Sequence, residues 1–219
     1  MKFAITVFPG SNCDYDAYYA LKNIGINVDF VWHKTHNLDR YDGILIPGGF
    51  SYGDYLRTGA IAKFSPIMKS LIKQSKKGKI IIGICNGCQI LIESGLLPGA
   101  LIINKSVKFI SKPVTLNIHS YNSIFTKNIS EGKKIIMPIA HKQGNYIAKS
   151  DTLKELKDND QIIFKYNDNP NGSVFDIAGI TNRKRNILGM MPHPERASDN
   201  LLGYDDGKLI FESVLNNYE

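Results

Sequence analysis

Lys79-Ile80-Ile81-Ile82-Gly83-Ile84-Cys85-Asn86-Gly87-Cys88-Gln89 is the stretch that decides how this chain folds. From Ile80 to Ile84 no side chain is polar, the pattern of a strand buried on both faces of a parallel sheet. The strand then runs into Gly83-Ile84-Cys85-Asn86-Gly87, with a small residue two before and two after a nucleophile-type side chain. A sharp strand-to-helix turn needs that spacing, because bulkier side chains there would collide. Such a turn lifts Cys85 clear of the sheet and puts it at a helix N-terminus, where free N–H groups and the helix dipole favour thiolate over thiol. The N–H of Asn86, next in the chain, is placed to donate to an oxyanion.

Outward from this turn the first half alternates strand and helix. Strands are expected at Phe3–Phe8, Val28–Trp32 and Gly43–Ile46, and helices at Asp14–Asn23, from Ser65-Pro66 (as N-cap and first turn) to about Lys77, and at Cys88–Ser94. Short joints with Gly and Pro between them imply a mostly parallel sheet with helices on both faces. The second half offers short strand-like runs near 101–103, 107–110, 114–118, 135–139, 161–166, 177–181 and 187–191, which predict antiparallel character, and a closing helix over 205–217. Neither repeats nor a Pro/Gly/Ser linker divide the 219 residues, so residues 1–219 read as a single domain.

Composition narrows the function. The net charge is +7, but 22 of the 27 cations are Lys and only 5 are Arg, a weak basis for nucleic-acid reading. Ile, Lys and Asn account for 71 of the 219 residues, so a compositional bias of the genome explains the Lys excess, with part of that surface free to face an acidic partner. Three Cys make no disulfide framework and fit a reducing, cytoplasmic setting. No run reaches the 18 or so apolar residues of a membrane span, and the N-terminus has no signal-peptide pattern.

In an open α/β sheet the chemistry lies beyond the carboxyl ends of the strands. A Cys nucleophile needs a His as base and a third group to orient it. Of the five His, only His193 directly follows an apolar strand, in Met191-Pro192-His193-Pro194-Glu195-Arg196; the other four read as exposed loop or half-buried strand residues. The flanking prolines are expected to hold the backbone extended, so that His193 and Glu195, two apart, face one another. Cys85, His193 and Glu195 then form a triad from two strand ends. Pro47-Gly48-Gly49 follows another strand and lets the backbone approach a substrate carbonyl, with the Gly49 N–H as second oxyanion donor. Cys85 and Cys88 also spell Cys-x-x-Cys, but a dithiol redox site after the fourth strand is out of place for that motif. A zinc site would need two further ligands.

Gly-x-Cys-x-Gly-x-Gln with a distal Pro-His-Pro-Glu and an upstream Pro-Gly-Gly resembles the class I (triad) glutamine amidotransferases. Phe8-Pro9-Gly10-Ser11-Asn12-Cys13-Asp14, the Gly48–Ala60 stretch and Met137-Pro138-Ile139-Ala140-His141 are similar, within that class, to the glutaminase subunits of phosphoribosylformylglycinamidine synthase. The resemblance spans residues 8–196. It implies a flavodoxin-like three-layer sandwich and a glutaminase that uses no cofactor of its own. It also implies L-glutamine as substrate, with Gly48, Gln89 and Ser106 (of Asn104-Lys105-Ser106-Val107) bordering its pocket. Its partners would be a large synthetase subunit that uses ATP and Mg, and a small third subunit. An amidotransferase serving another pathway is the alternative. One departure stands out: after Ala140-His141 the usual Gly-Glu-Gly is replaced by Lys142-Gln143-Gly144. The chain itself has no Gly-x-x-x-x-Gly-Lys-Ser/Thr loop, so ammonia made here would have to be used elsewhere.

Overall fold

The computed structural model describes residues 1–218. In chain order its elements are β1 (Lys2–Val7), α1 (Asp14–Asn23), β2 (Asn27–Trp32), β3 (Gly43–Ile46), α2 (Pro66–Lys76), β4 (Ile80–Ile84), α3 (Asn86–Glu93) and β5 (Ala100–Ile102). There follow β6 (Ile110–Ile118), β7 (Lys134–His141), β8 (Asn145–Ile147), α4 (Ser150–Asp158), β9 (Ile162–Tyr166), β10 (Ile177–Thr181), β11 (Ile187–Met190) and α5 (Lys208–Asn217). Nine strands form one sheet in the order β2-β1-β3-β4-β11-β10-β9-β6-β7, and β5 pairs with β8 apart from it.

The sheet has two characters. β2, β1, β3, β4 and β11 are parallel neighbours. From β11 onward every pairing is antiparallel. This is the expected α/β architecture, with the parallel half drawn from the alternating first half of the chain. β11 is the exception, because it comes late in the chain yet lies parallel to β4, with Ile187 opposite Ile81 and Met190 opposite Ile84. That register brings the residues after Met190 beside the turn after Ile84. The centre of the sheet is apolar on both sides: Ile44, Leu45, Ile81, Ile82, Ile84 and Leu188 are fully buried, each worth about 1.5–3 kcal/mol relative to exposure. Among the described residues no helix is long and apolar enough to cross a membrane.

Several expectations are corrected. Residues 107–109 are not strand: Val107 takes a left-handed φ of 60°, its N–H donates to the Asn104 carbonyl at 2.7 Å, and β6 starts at Ile110. Ser65 stands at the N-cap position of α2, but its hydroxyl does not cap the helix. It bonds the His33 ring and the Tyr52 hydroxyl, at 3.2 and 2.8 Å. α4 and β8 escape a sequence reading because α4 buries only Leu156 and β8 is three residues long.

Gly87 sets how closely α3 approaches β3, since a Cβ there would overlap the Ile46 carbonyl. Gly87→Ala is expected to lower the unfolding free energy by about 3 kcal/mol. Urea titration checks this, and a change below ~0.5 kcal/mol, the scale of a neutral surface substitution, would show that the approach is slack.

Candidate active site

Cys85 ends β4 in a conformation that L-residues seldom adopt, φ 50° and ψ −104°. Such a backbone costs on the order of 1–3 kcal/mol and persists only where its surroundings hold it. Here the Cys85 N–H donates to the Met190 carbonyl of β11 at 2.8 Å, and its own carbonyl accepts from the Gln89 N–H at 3.1 Å. The side chain is turned out of the sheet, with Sγ 3.7 Å from the Ala140 carbonyl at the end of β7. Cys88 packs inward, and burial drives its thiol far above the ordinary range, which suits a structural thiol and not a dithiol redox pair.

β11 delivers the imidazole. His193 is anchored by its N–H to the Pro138 carbonyl of β7 at 2.9 Å. Its Nδ1 donates to Glu195 Oε1 at 2.6 Å, and both side chains are buried. The route differs from the extended segment expected from the sequence. Pro194–Arg196 is a single 3₁₀ turn, closed by the Arg196 N–H on the His193 carbonyl at 3.2 Å. Proline at its first position pre-sets the turn, and the turn folds Glu195 back onto the ring. Burial by itself disfavours the imidazolium, but the Glu195 carboxylate, with Cys85 beyond it, raises the His193 pKa well above the ordinary 6.5. Among the described residues, His193 Nε2 and Glu195 Oε2 have no hydrogen-bond partner.

The loops after β1 and β3 close the site from the other side. The Gly48 carbonyl accepts the Asn12 and Cys13 N–H groups at 3.4 and 3.2 Å, and Phe50 N–H donates to Gly10 at 2.9 Å. A Cβ on Gly48 would stand 2.7 Å from His193 Cε1 and 3.0 Å from Cys13 Sγ, so only glycine lets the imidazole lie here. Gly49 has φ 141° and lines, with Cys85 and His193, a cavity of about 140 Å³.

A polar network ties these loops to α3. Asn86 Oδ1 accepts the Ser51 N–H at 3.1 Å, and Asn86 Nδ2 donates to Gln89 Oε1 at 3.0 Å. Gln89 Nε2 donates to the Gln143 carbonyl at 2.7 Å, and Thr58 Oγ1 donates to Gln143 Oε1 at 2.9 Å. Gln143, where the family pattern has Glu, thus spends its side chain on the loop after β3. Ser106 is not brought to the Cys85 cavity: it is exposed and lines a neighbouring hollow with Lys105 and Pro170. Asn104, two residues earlier, reaches inward instead, taking the His141 Nδ1–H and the Gly144 N–H on its Oδ1, each at 3.1 Å.

Three residues near the reaction centre have no role that the sequence alone reveals. His141 is buried, not the bland residue expected; burial, then the His193 charge, pull its pKa down to about 4. Cys13 and Arg196 line the cavity, with Arg196 Nη2 3.2 Å from Cys13 Sγ and Arg196 Nε donating to Asp16 at 3.0 Å. Cys13 follows β1, so the rule that chemistry sits at carboxyl strand ends already points to it. Ligand atoms of Cys13, His193 and Glu195 lie within 4.8 Å of one another, the geometry of a metal trio. Glu195 already binds His193 and a guanidinium faces Cys13, which disfavours a cation among them.

A comparison with protein families matches residues 1–204 to the CobB/CobQ-like glutamine amidotransferase domain. The chain belongs to this family. Among solved structures it is 45% identical to PurLQS from Thermotoga maritima, with a TM-score of 0.93 over 100% of this chain and 99% of that one. A putative GMP synthase component from Thermoplasma acidophilum shares the fold at 16% identity and TM-score 0.68, covering 99% of this chain and 93% of that one. A glutamine amidotransferase from Thermotoga maritima does so at 15% and 0.58, covering 100% and 91%. This amidotransferase therefore carries its Cys, His and Glu on the sheet architecture of its family.

The ring of His193 supplies a test. With its folded pKa above the unfolded value near 6.5, the imidazolium adds stability below that pH, and the contribution vanishes as pH climbs past the folded value. Glu195→Gln removes the leading raising influence. NMR titration of the imidazole should show a midpoint above 6.5 in the parent and a fall of at least one unit in the variant; an unmoved midpoint would contradict the ion pair.

Proposed function

We propose that this amidotransferase is the glutaminase subunit of a phosphoribosylformylglycinamidine synthase, acting as one unit over residues 1–219. The observation that carries the reading is the full-length, 45% identical match to PurLQS from Thermotoga maritima. The matches to other amidotransferases, at 15–16% identity, support the fold alone and so favour no other pathway.

In this reading L-glutamine enters the cavity beside Cys85 with its side-chain amide foremost. His193 Nε2, without a hydrogen-bond partner among the described residues, takes the Cys85 proton. A ring that holds its proton well above pH 6.5 favours that transfer. The thiolate attacks the amide carbon, and the Gly49 and Asn86 N–H groups hold the developing oxyanion, each worth about 3 kcal/mol. His193 returns its proton to the departing nitrogen, which leaves as ammonia. Water, deprotonated by the same ring, then cleaves the γ-glutamyl thioester to glutamate and regenerates the thiol. Glu195, bound to Nδ1, fixes the tautomer that leaves Nε2 for the sulfur. Gln89 packs under the site, and the Asn104-Lys105-Ser106-Val107 segment is expected to meet the amino-acid end of the substrate.

Ammonia then passes to a large synthetase subunit that activates formylglycinamide ribonucleotide with ATP and Mg, assembled with a small third subunit in the cytoplasm. Glutamine hydrolysis by the wild type and by Cys85→Ala, alone and with the synthetase, tests the reading. The wild type should be weakly active alone and stimulated by the synthetase. The variant should lose at least ~1000-fold. Undiminished hydrolysis by Cys85→Ala would refute the mechanism, and stimulation by a different synthetase would refute the pathway.

A further inference from the structure

The loop between β3 and α2 is fastened at both ends and strained between them. On entry the Ser51 N–H is held by Asn86, and the Tyr52 hydroxyl sits between His33 Nδ1 at 3.0 Å and Ser65 Oγ at 2.8 Å. On exit Arg57 grips Glu93 of α3 with two bonds of 2.7 Å, and Thr58 bonds Gln143. Between these anchors Tyr52, Asp54 and Leu56 all take left-handed backbone, with φ of 54°, 54° and 69°. Side chains disfavour that region, so the anchors keep the turn in a shape the local sequence would not choose. What the shape achieves is display: Tyr55 is 70% and Leu56 79% exposed at the tip. Neither contributes to the core, and a stiff turn presenting two large apolar side chains is built for contact with something else.

Asp54 says what that contact carries. Its carboxylate turns inward, half-buried, with Asn86 Nδ2 at 3.5 Å. Among the described residues no cation pairs with it within 4 Å. Burial without compensation raises its pKa to about 6. A half-buried carboxylate lacking a cation, beside an exposed apolar tip, is complementary to a basic residue set in an apolar recess. The turn follows directly from Gly49 and Phe50, and Phe50, 45% exposed, lines the Cys85 cavity together with the 49% exposed Phe109. The turn therefore adjoins the mouth of the cavity in which, on the function proposed above, ammonia would be released.

Resting on the function proposed above, we propose that Gly53–Leu56 is a docking finger for the ATP-dependent synthetase, with Tyr55 and Leu56 entering an apolar recess and a Lys or Arg of the synthetase pairing with Asp54. The pairing also has a route to the chemistry. A cation keeps Asp54 ionised, and an ionised carboxylate is the stronger acceptor for Asn86 Nδ2. Asn86 is the residue whose amide clips the loop carrying Gly49 to the helix that carries the second oxyanion donor. Docking therefore tightens the oxyanion hole from outside.

The test uses the full chain and the purified synthetase, with affinity, its salt dependence and glutaminase rate as readouts. Tyr55→Ser combined with Leu56→Ser should weaken binding at least tenfold while the free chain hydrolyses glutamine at the parental rate, which also reports that the variant is folded. Asp54→Asn should flatten the salt dependence of binding and lose most of the stimulation. Binding of the double variant within twofold of the parent, with stimulation of Asp54→Asn intact, would overturn the docking finger and leave the function standing. A parent chain that the synthetase neither binds nor stimulates would overturn the function, and this proposal with it.

Discussion

Everything at the active site depends on one strand pairing, Ile187–Met190 parallel to Ile81–Ile84. Cys85 and His193 are 108 residues apart in the chain, and neither strand end is near the other until β11 inserts beside β4. The pairing also supplies the Met190 carbonyl that fixes the strained Cys85 backbone. A slip of one residue would turn every side chain of β11 to the opposite face and move His193 by about 3.3 Å along the strand. Both strands are apolar throughout, and burial on two faces holds the register together with the Asn186 side chain, whose Nδ2 donates to the Lys79 and Ser75 carbonyls at 2.8 and 3.1 Å just before β4.

Around that pair, the remaining strand ends each add one function. The loop after β1 cradles Gly48, the loop after β3 brings Gly49, and the end of β7 anchors His193 through Pro138. These segments are bound to one another through amides: Asn86, Gln89, Gln143 and Asn104 each join two of them. Amides give direction without charge, so the network can be buried next to a thiol and an imidazole without moving their proton balance. The charged groups it meets include Glu195 under His193, Arg196 behind Cys13 and the half-buried Asp54 beside Asn86.

Much of this is legible in the sequence because the informative patterns are local. Gly-x-Cys-x-Gly encodes its own turn, the all-apolar run at 80–84 encodes a central strand, and Pro-Gly-Gly encodes a close backbone approach. The parts that are not legible depend on distant partners. Asn104 and His141 look ordinary until the turn after β7 folds over β5. Ser106 is exposed two residues from the buried Asn104, a difference that the segment's sequence does not show. Ser65 has the right residue and position for a cap, but a tertiary competitor, Tyr52, takes its hydroxyl. The His193–Glu195 contact forms by a different backbone route from the extended one, because two prolines permit a tight turn as readily as an extended chain. Cys13 carries no chemical motif of its own, although it ends up against the same imidazole as Cys85.

That second thiol makes the decisive measurement a matter of which sulfur reacts. Rapid acid quench during glutamine turnover, followed by peptide mass spectrometry, should find a γ-glutamyl thioester on the peptide containing Cys85 and none on the peptide containing Cys13. An adduct on Cys13, or steady turnover by a chain whose Cys85 is never acylated, would contradict the account.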